Sequence, residues 1–472
     1  MLNVSENASS VDVLLTHSNH VFNDRKQTEK MQPYPPLQTL LAAAVLRQAG
    51  LSVAFCDVAF DSPTEKFQAM LRACAPRLVV VCEDDFNFLS KMCLGRNREL
   101  SFWMANTARK HGFPAAVHGS DASDHVTQYI EAGFQYVLIG EVETTLLELA
   151  RGKSASEIAG LAYQSPETER VHYTSRRELR TNLESLPRPA WDLIDMDQYR
   201  RAWVDAHGFF SMNMVSSRGC PFRCNWCAKP IYGTTYHVRA PRSVAEEMLF
   251  LKHAYQPDHV WFADDIFALS ARWTRDFAEA VESLDAQIPF KMQSRCDLMT
   301  RDTVNALKRA GCHEVWMGAE SGSQRILDSM EKDIRVEEIY EARANLARYG
   351  IRAGFFLQFG YRGETREDIE ATLRMVRETR PDDVGISVSY PLPGTKFYQL
   401  VASEMKAKLN WSDSGDLAMM FRGTYSSNFY RALAEALHLE VRQSGNEEAI
   451  RMAWAQVHEM EAAATCVTAG VQ

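Results

Sequence analysis

Short apolar runs alternate with amphipathic helical patterns twice along this chain, and a polar, proline-bearing stretch separates the two series. The runs of the first series are 11–16, 51–58, 78–82, 115–118 and 136–139. Each has the length of a buried strand and is too short for a helix. Between them, 37–48 carries apolar residues at helical spacing and stops at Gly50, and 122–132 does the same and stops at Gly133. Glycine there supplies the left-handed residue that closes a helix. Five strands with intervening helices predict a doubly wound parallel sheet, in which ligands bind beyond the carboxyl ends of the strands. The residues at those ends are Thr16-His17-Ser18, Asp57, Glu83-Asp84-Asp85, Gly119-Ser120 and Gly140-Glu141. No Gly-x-Gly-x-x-Gly opens the first helix, so a dinucleotide site is not expected.

The connector, 153–207, holds one expected edge strand at 160–164. It also holds Leu186-Pro187-Arg188-Pro189-Ala190-Trp191-Asp192, whose prolines favour an extended surface link. A second series follows, with strands expected at 212–216, 259–262, 290–294, 314–317, 352–359 and 384–389 and helices between. Six such units predict an open, partial (β/α)6 barrel with its active groups at the carboxyl ends of the strands. From Phe397 onward the pattern is helical, and Phe429, Leu433, Leu437 and Val441 form one apolar face over 428–443.

A chain of 472 residues predicts two or three domains. The net charge of −9 argues against a nucleic-acid-binding surface. Residues 1–10 are polar and lack a signal pattern, and the Ala-rich segment 452–472 is interrupted by Gln456, His458, Glu459 and Glu461. No stretch has the apolar length of a membrane span. A cytoplasmic protein with reduced thiols is expected.

Candidate chemistry centres on Cys220-Pro221-Phe222-Arg223-Cys224-Asn225-Trp226-Cys227, set behind Ser216-Ser217-Arg218-Gly219. Structural zinc sites and ordinary four-iron clusters are closed by a fourth protein ligand. The other cysteines, Cys56, Cys74, Cys82, Cys93, Cys296, Cys312 and Cys466, are scattered singly and suit buried small hydrophobes. Two readings follow: a [4Fe-4S] cluster with one iron open to a small molecule, or a zinc knuckle completed by a histidine such as His237.

The spacing, with Trp226 just before the last cysteine, resembles the signature of radical S-adenosylmethionine (SAM) enzymes. The resemblance implies that Cys220, Cys224 and Cys227 hold the cluster and that SAM chelates the open iron. One electron then splits SAM to methionine and a 5'-deoxyadenosyl radical. It further implies that Ala263, Asp264 and Asp265, in Phe262–Phe267, bind the methionyl ammonium, and that Arg295 binds the methionyl carboxylate. Glu320 and Ser321 would bond ribose hydroxyls. The turn from Gln358 through Gly360 to Glu364-Thr365 would face adenine. The plain reading of such carboxylates and hydroxyls at strand ends is helix capping.

The order Pro35-Pro36-Leu37, Gly119-Ser120 and Gly140-Glu141-Val142-Glu143-Thr144 resembles the cobalamin-binding domain fused to one radical SAM class. It implies cobalamin contacts from Thr16, Ser18, Asp57, Gly119, Ser120, Gly140 and Glu141. No Asp-x-His-x-x-Gly occurs, so cobalamin would be held without an axial histidine, or the fold has outlived the cofactor. His17, His20 and His118 are axial candidates whose plain reading is a hydrogen-bonding role.

Together with Cys227-Ala228-Lys229-Pro230-Ile231-Tyr232-Gly233, the strings Tyr390–Thr395, Trp411–Ser414 and Met419–Tyr425 resemble the anaerobic magnesium-protoporphyrin IX monomethyl ester cyclase group. The resemblance spans nearly the whole chain and implies a cobalamin-binding domain at 1–152, a linker at 153–207, a barrel at 208–395 and a helical region at 396–472. It leaves three readings open: C-methylation at an unactivated carbon, oxidation or cyclisation, and an iron-sulfur or cobalamin carrier without catalysis. A small-molecule substrate and a reductant such as flavodoxin or ferredoxin are implied partners. Residues 419–425 are the candidate substrate-contacting loop. A shared scaffold does not fix the substrate.

Overall fold

The computed structural model describes residues 10–165, 168, 170–443 and 445–469, with backbone alone over 463–469. Residues 1–9 of the polar start, and the Cys466 side chain, lie outside the described residues. By contacts the chain divides into two units. One runs through Pro221 and adds Lys229–Arg239 and Asn410–Asp416; the other is Phe222–Ala228, Ala240–Leu409 and the chain from Leu417.

In the first unit the apolar runs become β1 (Val13–Thr16), β2 (Val53–Cys56), β3 (Leu78–Cys82), β4 (Ala115–His118) and β5 (Tyr136–Leu138). They pair in parallel in the order β2-β1-β3-β4-β5. Both faces are covered. Helices Pro63–Cys74 and Gly95–Lys110 pack over Leu14, Val79, Val81, Val117 and Val137, and helices Leu37–Gln48 and Val142–Ala150 cover Val13, Leu15, Val80 and Leu138. Burial on both sides is why these strands read as continuous apolar runs.

Three expectations for this unit need correction. The helix expected over 122–132 is two helices, Ser120–Asp124 and Val126–Glu131, because His125 leaves helical geometry at φ −126°, ψ 38° and bonds back to Asp121. The strand expected at the edge, β6 (Leu161–Gln164), pairs antiparallel with β5 on one side and with β7 (Val171–Tyr173) on the other, so β7 is the edge. The 186–192 stretch is packed rather than tethered. Trp191 is buried, Ala190 N–H donates to Leu40 O, and Arg47 Nη1 donates to both carboxylate oxygens of Asp192.

Strand β8 (Ser211–Met214) is followed by β9 (Ser217–Arg218), which pairs antiparallel with β10 (His237–Val238) and closes the base of loop 219–236. Gly219 belongs there for two reasons: its φ is +82°, and a Cβ would stand 2.4 Å from Thr235 O.

The strands of the second unit are β11 (His259–Phe262), β12 (Phe290–Ser294), β13 (Cys312–Glu320), β14 (Arg352–Phe359) and β15 (Asp383–Val388), all joined in parallel. Within this unit the sheet order is β15-β14-β13-β12-β11, and among the described residues no pairing joins β15 to β11. Amphipathic helices Ala271–Ser283, Arg301–Ala310, Val336–Arg348 and Arg366–Thr379 follow successive strands. The mixed α/β class, the parallel sheets and the partial barrel are as expected.

The C-terminal region is helical over Ser427–Arg442 and Glu447–Ala469, with Phe429, Leu433 and Leu437 buried. Within the expected helical stretch, residues 405–426 carry no helix, and Met405 bridges Phe421 antiparallel. Its glycines and closely spaced Asp and Ser residues favour turns over helix.

Candidate active site

The cysteine loop is anchored through residues that sequence reasoning did not single out. Asn225 N–H donates to Met330 O at 3.0 Å, its amide donates to Ser329 O at 2.7 Å, and its carbonyl accepts Phe397 N–H at 2.9 Å. Tyr361, just past β14, bonds the same amide and stacks on Phe397 at 4.8 Å. The turn Cys224–Cys227, closed by Cys227 N–H to Cys224 O at 3.2 Å, is thus fixed near the carboxyl end of β14. Cys220 belongs to the first unit, where its carbonyl accepts from Lys229 Nζ at 2.9 Å.

The donor set fits a cluster better than its neighbours would. Cys220 and Cys224 are partly exposed and Cys227 exposed, whereas Cys56, Cys82, Cys93, Cys296 and Cys312 are buried. Burial pushes the Cys56 and Cys296 thiols up to about 12 and holds Cys82, Cys93 and Cys312 far above the range in which a thiolate forms. Among the described residues no three His, Cys, Asp or Glu side chains are grouped to hold a single metal ion. His237, the zinc-knuckle candidate, lies in β10. A cubane is held through separate irons, so its thiolates need not converge as the ligands of one ion do.

Two cations border the loop. Arg295 lies with its guanidinium carbon 3.7 Å from the centroid of the Phe222 ring. It donates to Asp297 Oδ1 and Oδ2 at 2.9 and 3.2 Å and to the carbonyls of Lys332 and Asp333 at 2.9 Å. Its fork is therefore largely committed to holding the loop and the chain after Met330. Lys332, absent from every motif, donates to Glu320 Oε1 at 2.9 Å and sits 5.5 Å over Trp226. Burial lowers the affinity of that amine for its proton, but Glu320, with Cys224 adding to it, outweighs burial and holds it above its ordinary value.

The remaining expected residues divide between scaffold and open positions. Ala263 and Asp264 are buried at the end of β11, where Asp264 O accepts from Gln293 Nε2 at 2.7 Å; Asp265 is half-buried. Ser321 bonds Thr372 Oγ1 at 3.1 Å and accepts Ser323 N–H, so it ties β13 to helix Arg366–Thr379. Gln358 donates to Ser389 Oγ at 3.0 Å. Thr365 caps Arg366–Thr379 with Asp368, the capping role its residue type favours. Glu364 accepts Gly360 N–H at 2.7 Å and faces Tyr430 OH at 3.4 Å, while Oε1 has no partner. Burial raises its carboxyl to about 8. In the 419–425 loop, Met419, Met420 and Phe421 are buried, with Phe421 edge-on to Phe397 at 5.5 Å.

At the strand ends of the first unit, polar groups bond chiefly to one another. Thr16 donates to Cys56 O at 2.8 Å, Ser18 N–H to Glu83 Oε1 at 3.1 Å, and Asp57 accepts from His17 at 3.0 Å and Tyr199 at 2.9 Å. Ser120 opens its short helix, and Gly119 abuts Glu83. Burial opposes charge on Asp57, yet His17 and its other donors hold that carboxyl below its ordinary range. Arg218 bonds Glu141 at 2.6 Å and also Glu143, with Gln38 donating to Glu143 at 3.0 Å. Against the penalty of burial, Arg218 brings Glu143 down to about 2. Each histidine has partners: His17 on Asp57, His20 on Val58 O and His118 on Asp85 and Leu138 O. Around Gly140 nothing lies within 4 Å of where a Cβ would stand, which leaves the backbone open to close approach. A cleft of about 560 Å³ opens beside it, lined by Glu141, Thr144, Arg180, Asn182 and Ser185.

Residues 214–376 match the radical SAM superfamily model. The matched segment spans β11–β14 and the cysteine loop. Over 282 residues the chain is 30% identical to an uncharacterized methyltransferase of Pyrococcus horikoshii, covering 58% of this chain and 60% of that one. It is 23% identical to the anaerobic magnesium-protoporphyrin IX monomethyl ester cyclase of Rubrivivax gelatinosus, over 57% of this chain and 49% of the cyclase. The chain thus spans about half the length of these curated relatives. In fold it is similar to the radical SAM methyltransferase TsrM of Kitasatospora setae, solved with cobalamin and a [4Fe-4S] cluster: TM-score 0.67, 20% identity, 83% of this chain and 74% of that one.

Proposed function

We propose that the chain is a cobalamin-dependent radical SAM enzyme that removes hydrogen from an unactivated carbon and methylates it in a biosynthetic pathway. The observation that carries this reading is the Asn225 anchorage, which presents Cys224, partly exposed, and Cys227, exposed, beside the strand ends. When bound, the cluster supplies the electron that splits SAM and cobalamin supplies the methyl carrier. The protein's own part is to hold these groups and exclude water. Cys220, Cys224 and Cys227 would ligate the cluster. Asp264, Asp265 and Glu320 would receive SAM's ammonium and ribose groups, and Gly360 would allow its adenine to approach the backbone.

Along the chain we assign 1–152 to cobalamin, 153–207 to a connector, 208–395 to the barrel and 396–472 to the helical region. The pairing of His17, His20 and His118 favours cobalamin held without a histidine on cobalt. We place the protein in the cytoplasm with a flavodoxin- or ferredoxin-like reductant. Among the described residues no helix is long and apolar enough to cross a membrane.

Similarity to the porphyrin-ester cyclase favours a second reading, the same radical step ending in oxidation or ring formation. Reconstituted, reduced protein incubated with SAM and cobalamin separates the possibilities. Deoxyadenosine with S-adenosylhomocysteine and a methylated product supports methylation; a product without an added methyl supports the second reading. An intact cluster that yields no deoxyadenosine rejects both and leaves a carrier.

A further inference from the structure

Lys332 lies in the polar loop after helix Gln324–Ser329, outside every motif. Its side chain is 7% exposed, an unusual burial for a lysine and one that requires a partner. The partner is Glu320, and the same ammonium rests over Trp226, which stands between two of the cysteines. Around this pair the fold makes room at a cost. A Cβ at Gly318 would stand 2.5 Å from both Glu320 Oε1 and Lys332 Nζ. Glu320 takes φ +59° where the register of β13 shifts against β14. A non-glycine residue stays in that region only when its surroundings impose it, and such strain gathers at working sites. On the Phe222 side, Arg295 makes a second cation–π contact and bonds the carbonyls of Lys332 and Asp333, so both cations belong to one clamp on the loop.

We propose that Lys332 is a positioning residue for the cysteine loop. Its ammonium, oriented by Glu320 and seated on Trp226, steadies the Cys224–Cys227 turn and raises the reduction potential of the cluster bound there. The inference rests on the cluster reading given above. One-electron reduction adds negative charge to a thiolate-ligated cluster, and a fixed positive charge in a poorly solvated surround favours that change. Removing the ammonium also leaves the Glu320 carboxylate uncompensated, so both effects lower the potential. Neutralising Glu320 alone leaves the ammonium unopposed and raises it. A merely structural role for the pair has no reason to give opposite signs.

The test is an EPR-monitored redox titration of the anaerobically reconstituted full chain, with iron content measured alongside. Lys332→Met is expected to keep its iron and to make reduction about tenfold less favourable, a shift of about 59 mV to more negative potential for one electron. Lys332→Arg should stay at the wild-type value, and Glu320→Gln should shift in the positive direction. An unchanged potential in Lys332→Met with full iron overturns the proposal, as does a shift of the same sign in Lys332→Met and Glu320→Gln. If Lys332→Met fails to fold, the rise in Glu320→Gln with a wild-type value in Lys332→Arg supports the proposal, and its absence overturns it. A wild-type protein that takes up no cluster overturns both this and the reading beneath it; a cluster whose potential ignores these variants overturns only the proposal.

Discussion

His118 Nε2 meets Asp85 Oδ2 at 2.7 Å with both side chains shut away from water. The other ring nitrogen faces Leu138 O at 3.2 Å, so both nitrogens look onto oxygen acceptors, as only an imidazolium satisfies. Burial disfavours that cation, yet the charge and hydrogen bond of Asp85 hold its pKa above the ordinary 6.5.

Breaking this pair should be costly. His118→Ala leaves a buried carboxylate whose Oδ1 already lacks a partner, and a loss of about 3–5 kcal/mol is expected. The raised pKa gives the stabilisation a sign. It is complete below pH 6.5 and fades as pH climbs through the folded value. Chemical denaturation of wild type and variant across pH 5–9 checks both; a loss under about 1 kcal/mol at pH 5 would contradict the buried pair.

Glu364 predicts a second pH effect, from an acid. Its folded pKa of about 8 lies above the ordinary 4.5, so the folded state holds the proton longer and stability falls as pH rises from 4.5 toward 8. Glu364→Gln keeps the acceptor for Gly360 N–H and cannot ionise. Its stability should exceed that of wild type at pH 8 and converge with it near pH 4.5, as melting temperatures across that range will show.

The cysteines should separate cleanly by environment. Cys224→Ala is expected to lose iron and SAM cleavage while its far-ultraviolet circular dichroism persists. Cys296→Ala removes a buried thiol at about 12 and should keep both within twofold. Iron per chain and deoxyadenosine yield decide; full iron in Cys224→Ala would remove it from the ligand set.

Two glycines near the same helix offer a steric contrast. A Cβ at Gly322 would lie 2.4 Å from Ala371 O, main chain that cannot swing aside, and Gly322→Ala should cost about 1–3 kcal/mol or more. Gly363 has φ +78° with nothing within 4 Å, so Gly363→Ala should cost only about 1 kcal/mol. Equal losses in denaturant titrations would refute the clash.

Particular residues show which parts of this structure the sequence made legible. Leu78–Cys82, Phe290–Ser294 and Arg352–Phe359 were readable to the residue because burial writes long apolar or alternating runs. The antiparallel β6 and β7 were harder, since three or four residues carry little pattern and their pairing is set by distant partners. Arg295 was legible as a cation at a strand end, but Asp297 and two backbone carbonyls compete for its donors, and that competition appears only in three dimensions. Lys332 left no signal at all. A lone lysine in a polar loop looks solvated until the chain folds it over Trp226.

Because β9 and β10 tie the ends of loop 219–236 together, the entropy of bringing those ends close is met by backbone pairing within the chain itself. On the proposed reading the polypeptide would act as a standing mould: an inorganic core lost to oxygen would leave the tied loop behind, and renewal would be a matter of refilling it.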